Sequence, residues 1–440
     1  MKIKPFSYLL LVIGLLFSDS LLFAQEATQK KLTVEELFSL VLENNPTLSV
    51  SKAGIKIAKQ NVEVAKNLQL PDLNLSASAL YIGDGVLLDK DFSNSTTVKM
   101  PHFGNNYALE ATQLIWKGGM VKHTIESKSL QEDLATLNYQ FNEQNIKLLA
   151  LGYYLDLYKL QNQASVYLKN IQLAEQRLQN ISRFYKEGMV TRNDVIRGEL
   201  QISNLNLALQ VIENNVQILN KQLLVALGLP EGIQLLADEK LLQTNLEPSP
   251  LAFYQNDIDQ HPSVLMSKKG VELSETATKI TKTERMPTLA AFAGNKLQRP
   301  ITTTSPALDM YSNGWNVGLS LSYDISSLYK SSKKIQANRY ELEKAKAQEN
   351  ETEKMIEVAV NAAYIKYNET RSQNSTLAKN KDLTEENYRI MESKYNNQLA
   401  ILLDMIDASN AKLDAELQYT NSEINIVFAY YKLLKESGKM

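Results

Sequence analysis

The sequence predicts a mainly α protein of two duplicated halves, each joining one β-hairpin to a pair of long antiparallel coiled-coil helices. Three observations predict it. The 11 prolines leave two long stretches empty, one set of residues recurs at a fixed offset, and two short regions alternate between apolar and polar residues. The chain is 44% hydrophobic and 22% charged over 440 residues, a balance that separates it from disordered chains.

The prolines come first. None lies between His102 and Leu229, and none between Ala307 and Met440. A proline inside a helix costs about 3 kcal/mol, so these voids are where long helices are permitted. From Gly119 to Tyr185 a continuous helix would reach roughly 100 Å at 1.5 Å per residue, and Lys330–Tyr395 is comparable. Within the voids Leu205, Leu209, Ile212, Val216, Leu219 and Leu223 step by fours and threes. So do Leu413, Leu417, Thr420, Ile424, Val427, Tyr431 and Leu434, and a third row begins at Leu130, Leu134, Leu137 and Phe141. Such rows are coiled-coil seams. The opposite faces are polar and would meet either bulk solvent or a wet lumen.

The repeat comes second. Pro46 and Pro71 are matched by Pro262 and Pro287 at an offset of 216 residues, and Ser51, Lys52 and Gly54 by Ser267, Lys268 and Gly270 in the same register. Further on, Tyr185, Asp194 and Ile196 are matched by Tyr395, Asp404 and Ile406 at an offset of 210. Recurrence in order is the mark of an internal duplication. The expected division is a first repeat over 25–230, a linker over 231–260 and a second repeat over 261–440.

The alternation comes third. Leu73, Leu75, Ala77, Ala79 and Tyr81 fall on one face of a strand, and Asn74, Ser76 and Ser78 on the other. Trp315, Val317, Leu319, Leu321 and Tyr323 likewise oppose Asn316, Gly318, Ser320, Ser322 and Asp324. This period of two is a strand signal. Expected strands are 72–82, 106–116, 288–295 and 315–324, with long polar loops over Gly83–Gly104 and Lys296–Asn313. Aromatics at the ends of the apolar rows suit the two interfaces of a membrane, so Leu73, Leu75, Tyr81, Trp315, Val317, Leu319, Leu321 and Tyr323 are the expected membrane-facing set. Four strands cannot close a barrel, so a membrane role requires an oligomer.

The N-terminus bears on compartment. Lys2 and Lys4 precede the apolar run Tyr8–Phe17, and Ala24 offers a cleavage point. Residues 1–24 are expected to be a secretory signal peptide. Its removal takes away two Lys and one Asp, moving the formal charge from −2 to −3. No later run of about 20 apolar residues follows, so a membrane crossing would have to use strands. There is no cysteine, hence no disulfide framework and no lipid-modified cysteine. The slightly acidic balance, with a pI near 6.1, argues against a nucleic-acid partner. His102, His123 and His261 are scattered without ligand spacing, and no nucleophile elbow or phosphate loop occurs, so neither catalysis, a cofactor nor a metal is expected.

Taken together, the duplicated Asn-Pro…Gly…Pro region, the Leu114-Ile115-Trp116-Lys117-Gly118-Gly119 junction, the Tyr185…Gly188…Thr191…Asp194-Val195-Ile196 turn and Leu227-Gly228-Leu229-Pro230 resemble the TolC-like outer-membrane efflux protein family. The resemblance spans nearly the whole chain after residue 24. It implies a homotrimer whose strands form a 12-stranded barrel in outer-membrane lipid and whose helices form a duct across the periplasm. It implies a periplasmic adaptor (membrane fusion) protein and an inner-membrane pump of the RND, ABC or MFS type, in a tripartite efflux or type I secretion system. The chain itself would be a passive conduit. The resemblance further implies a periplasmic gate at Asp404 and Asp407, and adaptor contacts at the turns carrying Gly188, Thr191, Asp194 and Gln398. The sequence departs from the family at the second turn, where Gln398 and Ile401 stand in the places of Gly188 and Thr191. The alternative reading is a non-conducting periplasmic coiled-coil scaffold. The cargo is not written in the chain.

Overall fold

The computed structural model describes residues 28–238, 246–304 and 306–440. The expected signal peptide and part of the expected linker lie outside them. The described residues fall into two compact units. One takes the chain up to Pro46 with Ile146–Pro248 and Ile365–Leu433; the other takes Thr47–Asn145, Ser249–Tyr364 and Leu434–Met440.

The elements run β1 (Thr28–Leu32), α1 (Val34–Asn44), α2 (Pro46–Lys66), β2 (Asp72–Tyr81), β3 (Gly85–Leu87), β4 (Thr96–Val98), β5 (Phe103–Trp116), α3 (Met120–Lys186), α4 (Arg192–Leu227), β6 (Ile233–Ala237), α5 (Leu251–Gln255), α6 (Pro262–Thr283), β7 (Thr288–Arg299), β8 (Ser312–Ser322), α7 (Ser327–Asn396) and α8 (Leu402–Glu436). α3 has 67 residues and α7 has 70, filling the two proline voids. The duplication is visible in the boundaries. Pro46 and Pro262 each open a helix, and β2 and β7 start 216 residues apart. α4 and α8 start 210 residues apart.

The first unit packs segments of α3, α4, α7 and α8 with α1 and a small parallel pair, β1 with β6. The seam residues Leu205, Leu209, Ile212, Leu223, Leu413, Ile424 and Val427 are buried, as the spacing requires. The parallel pair is stitched to the helices by polar side chains. Buried Tyr154 donates to the Leu32 carbonyl at 2.6 Å and accepts from the Asp238 amide at 2.9 Å. Burial pushes its phenol up to about 12. Asn220 both donates to the Ile233 carbonyl and accepts from the Leu235 amide, each at 2.8 Å. Periodicity could not foresee this pair, because Thr28–Leu32 and Ile233–Ala237 are too short to show a period.

The second unit holds a four-stranded antiparallel sheet in the order β2-β5-β7-β8. β5 and β7 extend beyond the expected strands: β5 begins at Phe103, not 106, and β7 runs to Arg299, not 295. Each supplies ladder partners for the other, Asn105 opposite Arg299 and Tyr107 opposite Leu297, so both continue into what the sequence reads as loop. β8 opens at Ser312 and ends at Ser322, leaving Tyr323 just past it. The Gly83–Gly104 stretch also holds the small β3–β4 hairpin. At the strand-to-helix junction Gly118 has φ +56°, and a Cβ there would lie 2.4 Å from the Met286 side chain. Only glycine satisfies both the left-handed backbone and that approach.

Candidate functional site

Two features of the chain have the form of working surfaces: the helix tips of the first unit and the sheet of the second.

Each tip is a helix end followed at once by a helix start. At the first, Gly188 donates to the Tyr185 carbonyl at 3.0 Å and Met189 to the Phe184 carbonyl at 2.9 Å. At the second, Gln398 donates to Tyr395 at 3.0 Å and Leu399 to Lys394 at 2.7 Å. Both are Schellman closures, which need a left-handed residue. Gly188 has φ +75° and Gln398 has φ +61°. The sequence departure at Gln398 therefore leaves the turn unchanged. Glutamine adopts the conformation glycine prefers, at a cost of about 1–2 kcal/mol for an L-residue.

The helix starts are matched too. The Asp194 carboxylate accepts from the Thr191 amide at 2.9 Å and from the Thr191 hydroxyl at 2.7 Å. The Asp404 carboxylate accepts from the Ile401 amide at 3.3 Å, and Ile401 has no hydroxyl to add. Both aspartates thus sit in the first turn, where negative charge meets free backbone N–H groups. Asp404 is exposed, and so is Asp407 one turn further on. The two tips share one core: Ile181, Val195, Tyr388, Tyr395, Leu402 and Met405, flanked by Leu178, Val190, Met391 and Ile406. The Tyr395 hydroxyl is buried with no hydrogen-bond partner, and burial followed by the nearby Asp194 charge holds its phenol above the usual range.

Beside this core lies a group the sequence reading passed over. Arg177 is 8% exposed. It donates to Gln201 at 3.1 Å and to Tyr388 and Ser409 at 3.4 Å, all neutral acceptors. Tyr388 in turn donates to Glu392 at 3.0 Å. The signal was present: Ala174, Arg177 and Ile181 step by three and four, which puts an arginine on the inward face of α3.

The sheet presents two unlike faces. Leu73, Leu75, Tyr81, Trp315, Val317, Leu319, Leu321 and Tyr323 are all exposed, from 45% at Tyr323 to 78% at Leu75. Among the described residues nothing covers them. Across the strands the same face carries Leu109, Ala111, Ala293 and Leu297, by the pairing of Leu73 with Ala111 and of Ala111 with Ala293. The other face carries Asn74, Ser76, Glu110, Lys296 and Asn316. β2 and β8 are the two edges, each paired on one side only. Among the described residues no helix is long and apolar enough to cross a membrane. A sheet apolar on one face, polar on the other and open at both edges, joined to helices of 67 and 70 residues, defines the protomer of a strand-and-helix membrane duct.

The comparisons with known proteins give the family. The chain belongs to the outer membrane efflux protein family, whose pattern matches residues 37–229 and 253–438. It is 22% identical over 436 residues to the outer membrane efflux protein BepC of Brucella suis biovar 1 (strain 1330), covering 98% of this chain and 90% of BepC. Its fold is similar to that of CusC, described in terms of folding and transmembrane channel formation, with a TM-score of 0.78 and 12% identity over 92% of each chain. The outer membrane protein VceC of Vibrio cholerae is similar at a TM-score of 0.74 and 14% identity, over 92% of this chain and 96% of VceC. The chain is thus an outer-membrane efflux channel protein, placed in the outer membrane and extending into the periplasm. The scaffold alternative is not favoured.

Proposed function

We propose that the chain works as one third of a homotrimeric exit duct, fed from the periplasm by an adaptor protein and an inner-membrane pump. The observation that carries this reading is the four-stranded sheet with two free edges and one apolar face. Unpaired backbone groups in lipid each cost several kcal/mol, so β2 of one copy must pair with β8 of another. Three copies give 12 strands, within the range of closed barrels. The chain then contributes passage and not energy.

The exposed turns at Gly188 and Gln398 are the proposed adaptor contacts, with Thr191 and Asp194 fixing the first turn's shape. Asp404 and Asp407 are the proposed gate. Three copies would place rings of carboxylates at the duct's narrow end, favouring cations. Asp407 is the better candidate of the two for meeting solutes, since Asp404 is engaged in capping.

Planar-bilayer recording of the detergent-purified protein tests the reading, with native mass spectrometry on the same sample. Discrete conductance steps from a three-chain species are expected. A monomer that stays soluble without detergent and passes no current would overturn it.

A further inference from the structure

On the polar face of the sheet an acid and a base lie near each other without pairing. Glu110 on β5 lies opposite Gly294 on β7, and Lys296 follows two residues along β7 on the same face. Such diagonal neighbours are roughly 7–8 Å apart. Both side chains are exposed, and neither forms an ion pair among the described residues. Two glycines shape the ground between them. At Gly294 the Glu110 Cγ and the Asn316 side-chain oxygen occupy the flanks of the missing side chain, at 3.8 and 3.1 Å from where a Cβ would be. At Gly314, opposite Lys296, no atom lies within 4 Å of a Cβ position. The result is an open depression of about 250 Å³ lined by Glu110, Thr112, Phe292, Gly294, Lys296 and Asn316.

The rest of this face sharpens the point. Along β2, β5, β7 and β8 the only other charge on that face is Asp72, at the start of β2 and diagonal to Glu110, and the remaining residues there are uncharged. Lys296 is thus the one ammonium on this face among the described strand residues, set beside the carboxylate of Glu110 with Asp72 one step further along, and each is exposed to meet a solute.

We propose that Glu110 and Lys296 form a bipolar contact site for solutes in the strand-lined part of the duct, suited to zwitterions and ion-permeant in both signs. The inference rests on the duct reading, which puts this face toward the lumen. Three copies would set three carboxylates and three ammonium groups in neighbouring rows. Solutes carrying both charges could bridge the two rows, while simple ions would be drawn by one and repelled by the other. The ion preference of this segment is then set by opposed terms, with Asp72 adding to the acidic side, and removing Glu110 or Lys296 shifts it in opposite directions.

The test is the reversal potential in a KCl gradient. Lys296→Gln is expected to raise the cation-to-anion permeability ratio by about twofold or more, and Glu110→Gln to lower it similarly, with both shifts fading as salt screens the charges. Lys296→Arg and Glu110→Asp keep the charges and should keep the wild-type ratio. Recovery of the wild-type oligomer on native mass spectrometry certifies each variant as folded. A conducting wild type whose ratio moves with neither variant, or moves the same way with both, overturns the site while leaving the duct intact. A wild type that does not conduct removes the duct reading and the site with it.

Discussion

Gln398 holds a left-handed conformation that its counterpart Gly188 adopts freely, and this pair makes the local energetics measurable. Gly188→Ala should destabilise the first unit by about 1 kcal/mol, because alanine meets the penalty that glycine escapes. Gln398→Gly should be neutral to slightly stabilising, since relief of the backbone is offset by added freedom in the unfolded chain. Thermal melting of the purified protein reads both; equal and opposite shifts would contradict this account. A second residue couples stability to pH. His261 is the N-cap of α6, buried, with Nδ1 accepting from the Ser263 amide at 3.1 Å and Nε2 without a partner. Burial, then the Lys435 charge, holds its imidazole below the usual value, with Glu436 opposing. The unfolded chain therefore binds the proton more readily, and stability is lost as the pH falls through 6.5 towards the lowered folded value. His261→Asn keeps a capping side chain and does not titrate. The wild type should lose more melting temperature between neutral and mildly acidic buffer than this variant does; parallel losses would exclude His261 as the cause.

At the level of elements, the helix starts at the two tips differ by one hydroxyl. Asp194 caps with the help of Thr191, whereas Asp404 faces Ile401. Replacing Asp194 by alanine should cost about 1 kcal/mol, and replacing Asp404 somewhat less, given its longer contact. Hydrogen exchange at the first-turn amides of α4 and α8 would resolve the two; equal protection lost at both tips would argue against the ranking. The long helices were legible because proline exclusion and the three-four rhythm act over many turns, as Leu205 to Leu223 illustrates. The β2 and β8 strands were legible because alternation runs from Leu73 to Ala79, broken only at Leu80, and from Trp315 to Tyr323. What escaped notice depended on contacts distant in sequence. β5 and β7 gain their extra residues from one another, and β1 needs β6, more than 200 positions away. Arg177 sits on the inward face between Ala174 and Ile181, but a charged side chain interrupts an apolar row, so periodicity passes it over.

For the whole molecule, the proposed gate makes a direct prediction. Asp404→Ala combined with Asp407→Ala should raise single-channel conductance and weaken block by added cations, because two rings of charge at the narrow end would vanish. Unchanged conductance together with unchanged block would remove these residues from the gate. The capping contact of Asp404 means that the double variant also loosens a helix start, so Asp407→Ala alone is the cleaner probe. It should retain the melting behaviour of the wild type while carrying most of the change in cation block.

The 210-residue equivalence of the tips has one more consequence. In that register Asp194 coincides with Asp404, but Asp407 coincides with Arg197, and both are exposed. Three chains would thus bring together six look-alike tips whose second-turn charges alternate in sign around the ring. In such a ring the duplication would supply an approximate sixfold rotation, and the differences between the tips, this exchange of arginine for aspartate among them, would lower it to a threefold. An opening that treats all six tips alike would have to work against that alternation, whereas one that moves every second tip would follow it.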